Sequence, residues 1–188
     1  MDSLPPPYAF LAHEGAPRML VEALKLYGVV ETPGPGNTSA ILAWADELGA
    51  RVPTAYARWA ARWYDADAIA WCGLFMAVVC RRAGRTPPTK FLAAREWETW
   101  GNPAAPAMLG DVLVFSRDGG GHVALYVGED EARYHCLGGN QGDAVSIKPI
   151  AKNRCTAVRR PAYVNQPENV RPVRISALSA APTSINEA

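Results

Sequence analysis

The stretch "AIAWCGLFMAVVCRRAG", residues 68–84, has the composition of one largely buried helix. Its broad apolar stripe has helical spacing and consists of Leu74, Phe75, Val78 and Val79. Two arginines follow in the last turn, where positive charge suits the helix dipole, and Gly84 comes next as a stop signal. The pattern predicts a helix that begins at Cys72 and carries a second cysteine, Cys80, near its end.

Length and composition predict one ordinary globular domain. The chain has 188 residues, of which 49% are hydrophobic, and a formal net charge of +1. Its lysines and arginines are scattered, so we expect no nucleic-acid partner and no binding to a charged membrane surface. No run approaches the roughly 20 apolar residues of a spanning helix, so we expect no membrane insertion.

Around the central helix, the chain divides into three parts. Residues 1–15 are rich in proline and are predicted to be an irregular leader. Residues 16–163 form the single domain, with helices in its first half and five short strands of period two in its second half, over 111–117, 122–128, 132–138, 144–150 and 155–161. The strand connections are too short for parallel crossovers, which predicts an α+β fold with a five-stranded antiparallel sheet. Residues 164–188 are predicted to be an extended or disordered tail.

The four cysteines are Cys72, Cys80, Cys136 and Cys155. None forms a CxxC pair, so we expect free thiols and no metal. A helix N-terminus stabilises a thiolate through its unpaired N–H groups and its positive dipole end. Cys72 lies in the first turn and Cys80 two turns later, so Cys72 is the candidate nucleophile and Cys80 is interpreted as a buried apolar residue.

A cysteine nucleophile needs a base that takes its proton and later delivers it to a leaving amine. Of the three histidines, His13 lies in the leader, His122 follows the run "RDGGG" at the entrance of a strand, and His135 lies within the next strand. Glycines leave a strand entrance open to a ligand. We therefore favour His122 as the base.

An ordered set of motifs resembles a known group of enzymes. "WCGLF", "GDVLVF", "GHVALYVGED" and "LGGNQGDAVSI" are similar to the NlpC-type and CHAP-type cysteine peptidases and amidases that cut bacterial peptidoglycan. The resemblance covers residues 16–161 and is closest to a small single-domain branch from phage and bacterial genomes. It implies a papain-like fold with Cys72 as nucleophile and His122 as general base and then acid.

The same resemblance implies a third residue that orients His122. Asn140 of "LGGNQ" is favoured, with His135 as the competitor, and the adjacent Gln141 is expected to support the pair or contact the substrate. Asp67 is expected to cap the nucleophile's helix, or to anchor the loop before it, and Trp71 to pack beside the cleft. Backbone N–H groups at the helix start, that of Cys72 included, would stabilise the oxyanion.

The function implied is hydrolysis of an amide bond in the peptidoglycan stem peptide, as an endopeptidase or an N-acetylmuramoyl-L-alanine amidase, through an acyl-enzyme and without a cofactor. No Sec-type signal is visible at the N-terminus, so we expect synthesis in the cytoplasm and delivery to the periplasm or cell wall by other means. A phage lysin released through a pore fits this, as does a type VI toxin, which implies a cognate immunity protein. Two alternatives stay open: a catalytically silent module of the same fold, and a cysteine acyltransferase or deamidase.

Overall fold

The computed structural model describes residues 4–176, which contain four α-helices and three short 3-10 helices. The α-helices are α1 (Arg18–Leu24), α2 (Ser39–Arg51), α3 (Ala55–Trp63) and α4 (Cys72–Arg82). The 3-10 helices cover Pro6–His13, Ala94–Thr99 and Lys152–Arg154.

The second half of the chain forms one antiparallel sheet, so the α+β class is confirmed. Its strands are β1 (Asn102–Pro103), β2 (Val112–Arg117), β3 (Gly120–Glu129), β4 (Arg133–Gly138), β5 (Ser146–Ala151) and β6 (Cys155–Arg160). They lie in the order β1-β6-β2-β3-β4-β5. The predicted count of five strands is wrong: β1 is the sixth, and its two residues pair with Arg159 and Arg160. A two-residue strand is too short to show a period of two.

Helix α4 is the centre of the packing. Every residue from Cys72 to Cys80 is buried, and the helix packs against α1 and α2 as well as against β3 and β4. A Cβ atom on Gly73 would lie 2.5 Å from the carbonyl oxygen of Phe91, so only glycine permits this approach between the start of α4 and the segment that follows it. The start of the helix is therefore held firmly against the rest of the domain.

The alternation of side chains along β3 supplies two hydrophobic clusters. Val123, Leu125 and Val127 belong to the main core that contains α4, whereas Ala124 and Tyr126 belong to a second cluster. Successive residues of a strand point to opposite faces, which explains the division. Helices thus cover one face of the sheet.

The irregular leader predicted for residues 1–15 is instead a 3-10 helix over Pro6–His13. Tyr8 and Leu11 on this helix are buried in the main core. Its prolines resemble a loop in composition, and the ordering comes from contacts with distant residues that local composition does not reveal.

Beyond residue 163, the described part of the predicted tail contains a turn, in which Val170 donates its N–H to Pro167 O (3.0 Å), and then an extended stretch that pairs with Glu129. Glu129 donates its N–H to Val173 O (2.8 Å) and accepts the N–H of Ile175 (2.9 Å), and Ile175 is buried. The remainder of the predicted tail, residues 177–188, lies outside the described residues.

Candidate active site

Cys72 is the first residue of α4, and its side chain is 5% exposed. The backbone N–H groups of Val123, Gly73 and Cys72 itself lie near enough to the sulfur to favour its charged form. Val123 directly follows His122 in β3, so the thiol lies near the start of the strand that carries the candidate base. The start of α4 and the start of β3 are therefore neighbours although they are about fifty positions apart in sequence.

The direction of strand β3 explains why the N–H of Val123 reaches the sulfur. Tyr126 donates its N–H to Asp111 O (2.8 Å) on the β2 side, and the direction of N–H groups alternates along a strand. Val123 therefore directs its N–H to the β4 side. Pairing of β3 with β4 runs only from Leu125 to Glu129, so among the described strands none pairs with the N–H of Val123, which lies near the Cys72 sulfur instead.

Burial raises the pKa of the Cys72 thiol, although Arg117 and the three N–H groups act in the opposite direction. The sequence predicted a thiolate stabilised by the helix N-terminus. The helix does contribute N–H groups, but the loss of solvent around the sulfur outweighs them. The thiol is therefore the resting form at neutral pH.

His122 is paired with Gln141, and both side chains are buried. The Nε2 atom of His122 lies 3.0 Å from Oε1 of Gln141. The amide nitrogen of Gln141 donates to Cys136 O (3.1 Å) and Ser146 O (2.5 Å), so the amide oxygen must be the atom that faces the histidine. His122 then carries its proton on Nε2 and donates it to Gln141, which makes Nδ1 the basic nitrogen.

The expectation that Asn140 orients His122 is wrong, because the adjacent Gln141 holds the imidazole. Asn140 has φ 56°, in the left-handed region, and serves as the turn residue after β4. A Cβ atom on Gly138 would lie 3.1 Å from the amide carbon of Gln141, and one on Gly139 would lie 2.6 Å from Cβ of Phe75. Gly138 therefore leaves room for the Gln141 side chain, and Gly139 leaves room for Phe75 of α4.

His135, the competitor, belongs to a separate cluster. Its Nδ1 lies 2.7 Å from the Tyr8 hydroxyl and its Nε2 lies 3.2 Å from Oδ2 of Asp130. Asp130 also forms a salt bridge with Arg133 (2.7 Å). Burial lowers the pKa of His135, although Asp130 opposes the shift. His135 therefore joins the N-terminal 3-10 helix to the sheet and does not orient His122.

Asp67 does not cap α4, so the capping interpretation is wrong. The residue at that position is Trp71, which makes no side-chain capping bond. The buried Asp67 carboxylate instead accepts N–H groups from Thr32 (3.1 Å) and Thr38 (2.7 Å). Burial favours a higher pKa for Asp67, but these bonds outweigh it and hold the pKa below its ordinary value. Asp67 thus anchors the glycine- and proline-rich loop before α2.

Trp71 is fully buried and has no face for a substrate. Its indole N–H donates to Glu31 Oε2 (2.9 Å), and its ring packs on Trp44 with centroids 5.9 Å apart. It therefore positions the residue that follows it, Cys72, from within the core. Sequence reasoning gave Glu31 no role.

Cys80 is fully buried, and burial raises its pKa to about 12. All four cysteines are free thiols. Within residues 4–176, no group of three or more histidine, cysteine or acidic side chains has the arrangement of a metal site.

The fold and the site define an α+β protein with a buried cysteine at a helix start, near the strand that carries a histidine held by a glutamine. No protein-family model matches the chain, and no curated protein matches it. In the described part of the chain, no helix combines the length and the apolar character needed to cross a membrane.

Proposed function

We propose that the protein is a papain-like cysteine hydrolase that cleaves an amide bond in the peptide part of bacterial peptidoglycan. The observation that carries the proposal is the His122–Gln141 pair, which is oriented by hydrogen bonds on the strand whose Val123 N–H lies near the Cys72 sulfur. A buried thiol, a histidine in a defined tautomer and a third residue that fixes the ring are the parts of a nucleophilic triad.

In the acylation step, the sulfur of Cys72 attacks the carbonyl carbon while its proton passes to Nδ1 of His122. The oxyanion that forms is stabilised by N–H groups at the start of α4. The imidazolium then gives its proton to the amide nitrogen, the C–N bond breaks and the amine leaves. The enzyme retains the acyl group as a thioester.

Water completes the cycle. His122 takes a proton from the water molecule as its oxygen attacks the thioester carbonyl, and then returns a proton to the sulfur as the C–S bond breaks. A carboxylic acid leaves and the Cys72 thiol is restored. The same histidine thus acts as base and acid in both halves of the reaction.

The raised pKa of Cys72 makes this proton transfer indispensable. A thiol that is uncharged at neutral pH is a weak nucleophile, so its deprotonation must accompany the attack. Gln141 supports the transfer because its neutral amide oxygen accepts a hydrogen bond from Nε2–H whether the imidazole ring is neutral or protonated. The amide holds the ring without adding a charge to the buried site.

Peptidoglycan as the substrate is supported by the motifs in residues 16–161 that resemble NlpC-type and CHAP-type enzymes. The test is digestion of purified sacculi by the wild type and Cys72→Ala, with Cys80→Ala as the matched control. We expect the wild type and Cys80→Ala to release peptide-containing fragments, whose masses identify the bond cut. Equal release by Cys72→Ala would overturn the proposal.

A further inference from the structure

Helix α3 presents two tryptophans to solvent. Trp59 is 41% exposed and Trp63 is 45% exposed, and their rings stack with centroids 5.2 Å apart and planes 19° from parallel. The opposite side of the helix is buried through Ala57 and Ala60. Large apolar side chains exposed side by side are typical of interaction sites.

Two arginines accompany the indoles. Arg58 and Arg62 precede Trp59 and Trp63 by one residue each, and both are exposed. Helix α3 contains no acidic residue, and within residues 4–176 neither arginine forms a salt bridge. We call these four residues the aromatic–arginine face. Its charge is complementary to an anionic partner.

The aromatic–arginine face lies on an element that is tied to the start of α4. Tyr56 of α3 packs edge-on against Phe91, whose carbonyl oxygen lies against Gly73. At the other end, Tyr64 follows α3 and donates its hydroxyl to Ile69 O (2.5 Å) in the segment leading to Cys72. A partner bound on α3 is thus held next to the elements that position the nucleophile.

We propose that the aromatic–arginine face binds an acidic glycan polymer. Indole rings accept the apolar faces of sugar rings, and guanidinium groups pair with carboxylates. The inference rests on the proposed function, since the peptidoglycan strand with its stem-peptide carboxylates is such a polymer. The face would hold the strand while Cys72 acts on an attached peptide.

The dimensions and charge of the face favour this partner over two others. A stable dimer buries about 800 Å² on each partner, more than two indoles on a nine-residue helix supply. Membrane binding strengthens with the apolar area that is inserted, and two indoles on a nine-residue helix supply little of it. A hydrated glycan leaves the guanidinium groups in a polar environment.

The test measures cosedimentation with purified sacculi, using Cys72→Ala protein so that binding is separated from cleavage. The variants are Trp59→Ala/Trp63→Ala and Arg58→Gln/Arg62→Gln. Their matched controls are Val164→Ala and Arg18→Gln, which alter exposed residues elsewhere. Thermal unfolding of each variant confirms that it is folded, and each is also tested with phosphatidylglycerol-containing vesicles.

We expect the tryptophan variant to raise the half-saturating protein concentration by at least about fivefold. The arginine variant is expected to raise it about threefold at low salt and to match its parent at high salt. The controls are expected to bind as the parent does. Unchanged binding by the folded tryptophan variant would overturn the inference, as would tryptophan-dependent binding to vesicles alone.

The two proposals can fail separately. If the wild type releases no fragments but sacculus binding still depends on both tryptophans, the binding face stands and the proposed hydrolysis is wrong. If release depends on Cys72 while binding is indifferent to the tryptophans, the hydrolysis stands and the binding face is wrong.

Discussion

The protein contains two buried histidines on neighbouring strands, and their partners differ. His122 donates a hydrogen bond from Nε2–H to the neutral amide of Gln141, which leaves Nδ1 as the basic nitrogen, and its strand begins near the Cys72 thiol. His135 donates a hydrogen bond from Nε2–H to the carboxylate of Asp130, and its Nδ1 accepts a hydrogen bond from the Tyr8 hydroxyl.

The comparison shows that a carboxylate next to a buried histidine is not sufficient evidence for catalysis. His135 has the better electrostatic partner, yet both of its nitrogens are engaged by side chains of this chain that join two elements. His122 has the weaker partner, and its strand begins near the Cys72 thiol. The expected roles are structural for His135 and catalytic for His122.

Replacing each of the two histidines separately tests this comparison, and it has the largest expected effect. His122→Ala is expected to lower kcat/KM for sacculus digestion by at least about 10³-fold, because the thiol loses its base. His135→Gln is expected to stay within about threefold of the wild type when assayed below its melting temperature. Similar losses in the two variants would contradict the assignment of roles.

Gln141 and Asn140 supply the next test. Gln141→Leu is expected to lower kcat by up to about 10²-fold with little change in KM, because the imidazole loses its orientation while substrate contacts remain. Asn140→Gly is the matched control, since glycine suits the left-handed backbone at that position. Greater loss of activity in Asn140→Gly than in Gln141→Leu would restore Asn140 as the orienting residue.

Removing the Tyr8 hydroxyl probes the structural histidine alone. Tyr8→Phe leaves Nδ1 of His135 without its donor in a buried site, which is expected to lower the free energy of unfolding by about 1–3 kcal/mol. Activity at 25 °C is expected to remain. Urea denaturation measures the change, and a loss of activity without a loss of stability would show that His135 is connected to catalysis.

The pH dependence of stability gives the smallest expected effect. Burial lowers the pKa of His135 below its ordinary value of 6.5, with Asp130 opposing and Arg133 reinforcing the shift. The unfolded chain therefore binds a proton first as pH falls. The stability of the neutral form is complete above pH 6.5 and is lost below it, by at most about 1.4 kcal/mol per pH unit for one proton.

His135→Gln is expected to show a shallower loss of stability between pH 6.5 and pH 5.5, measured by urea denaturation at each pH. His122→Gln, the same substitution at the other buried histidine, is measured in the same way for comparison. Parallel curves for the wild type and His135→Gln would contradict the assignment of a lowered pKa.

Strong local signals made most of the fold predictable. The helix that starts at Cys72 is apolar up to its last turn, where two arginines precede Gly84, and the five predicted strands are short β-rich runs separated by Gly/Asp turns. The 3-10 helix at Pro6–His13 was missed because its order depends on burial of Tyr8 and on the bond to His135. Strand β1 was missed because only its pairing with β6 defines it.

In the candidate site, the roles predicted for Cys72 and His122 stay predictions, whereas Asn140 was favoured as the orienting residue in place of Gln141. Asn140 and Gln141 are adjacent, so sequence separation does not distinguish them. The difference lies in the backbone: a left-handed residue at 140 turns the next side chain back under the sheet, where Ser146 and Cys136 accept its amide protons. The run of glycines before Asn140 was a signal for such a turn.

The amide of Gln141 has a practical consequence for protein engineering. One NH₂ group donates to carbonyl oxygens on both β4 and β5, so the length of the connection between these strands sets the position of the His122 imidazole. A peptide tag or label inserted between residues 139 and 145 would disturb His122 through Gln141, without a direct contact. Fusion sites and reporter groups are better placed on the exposed surface near Val164.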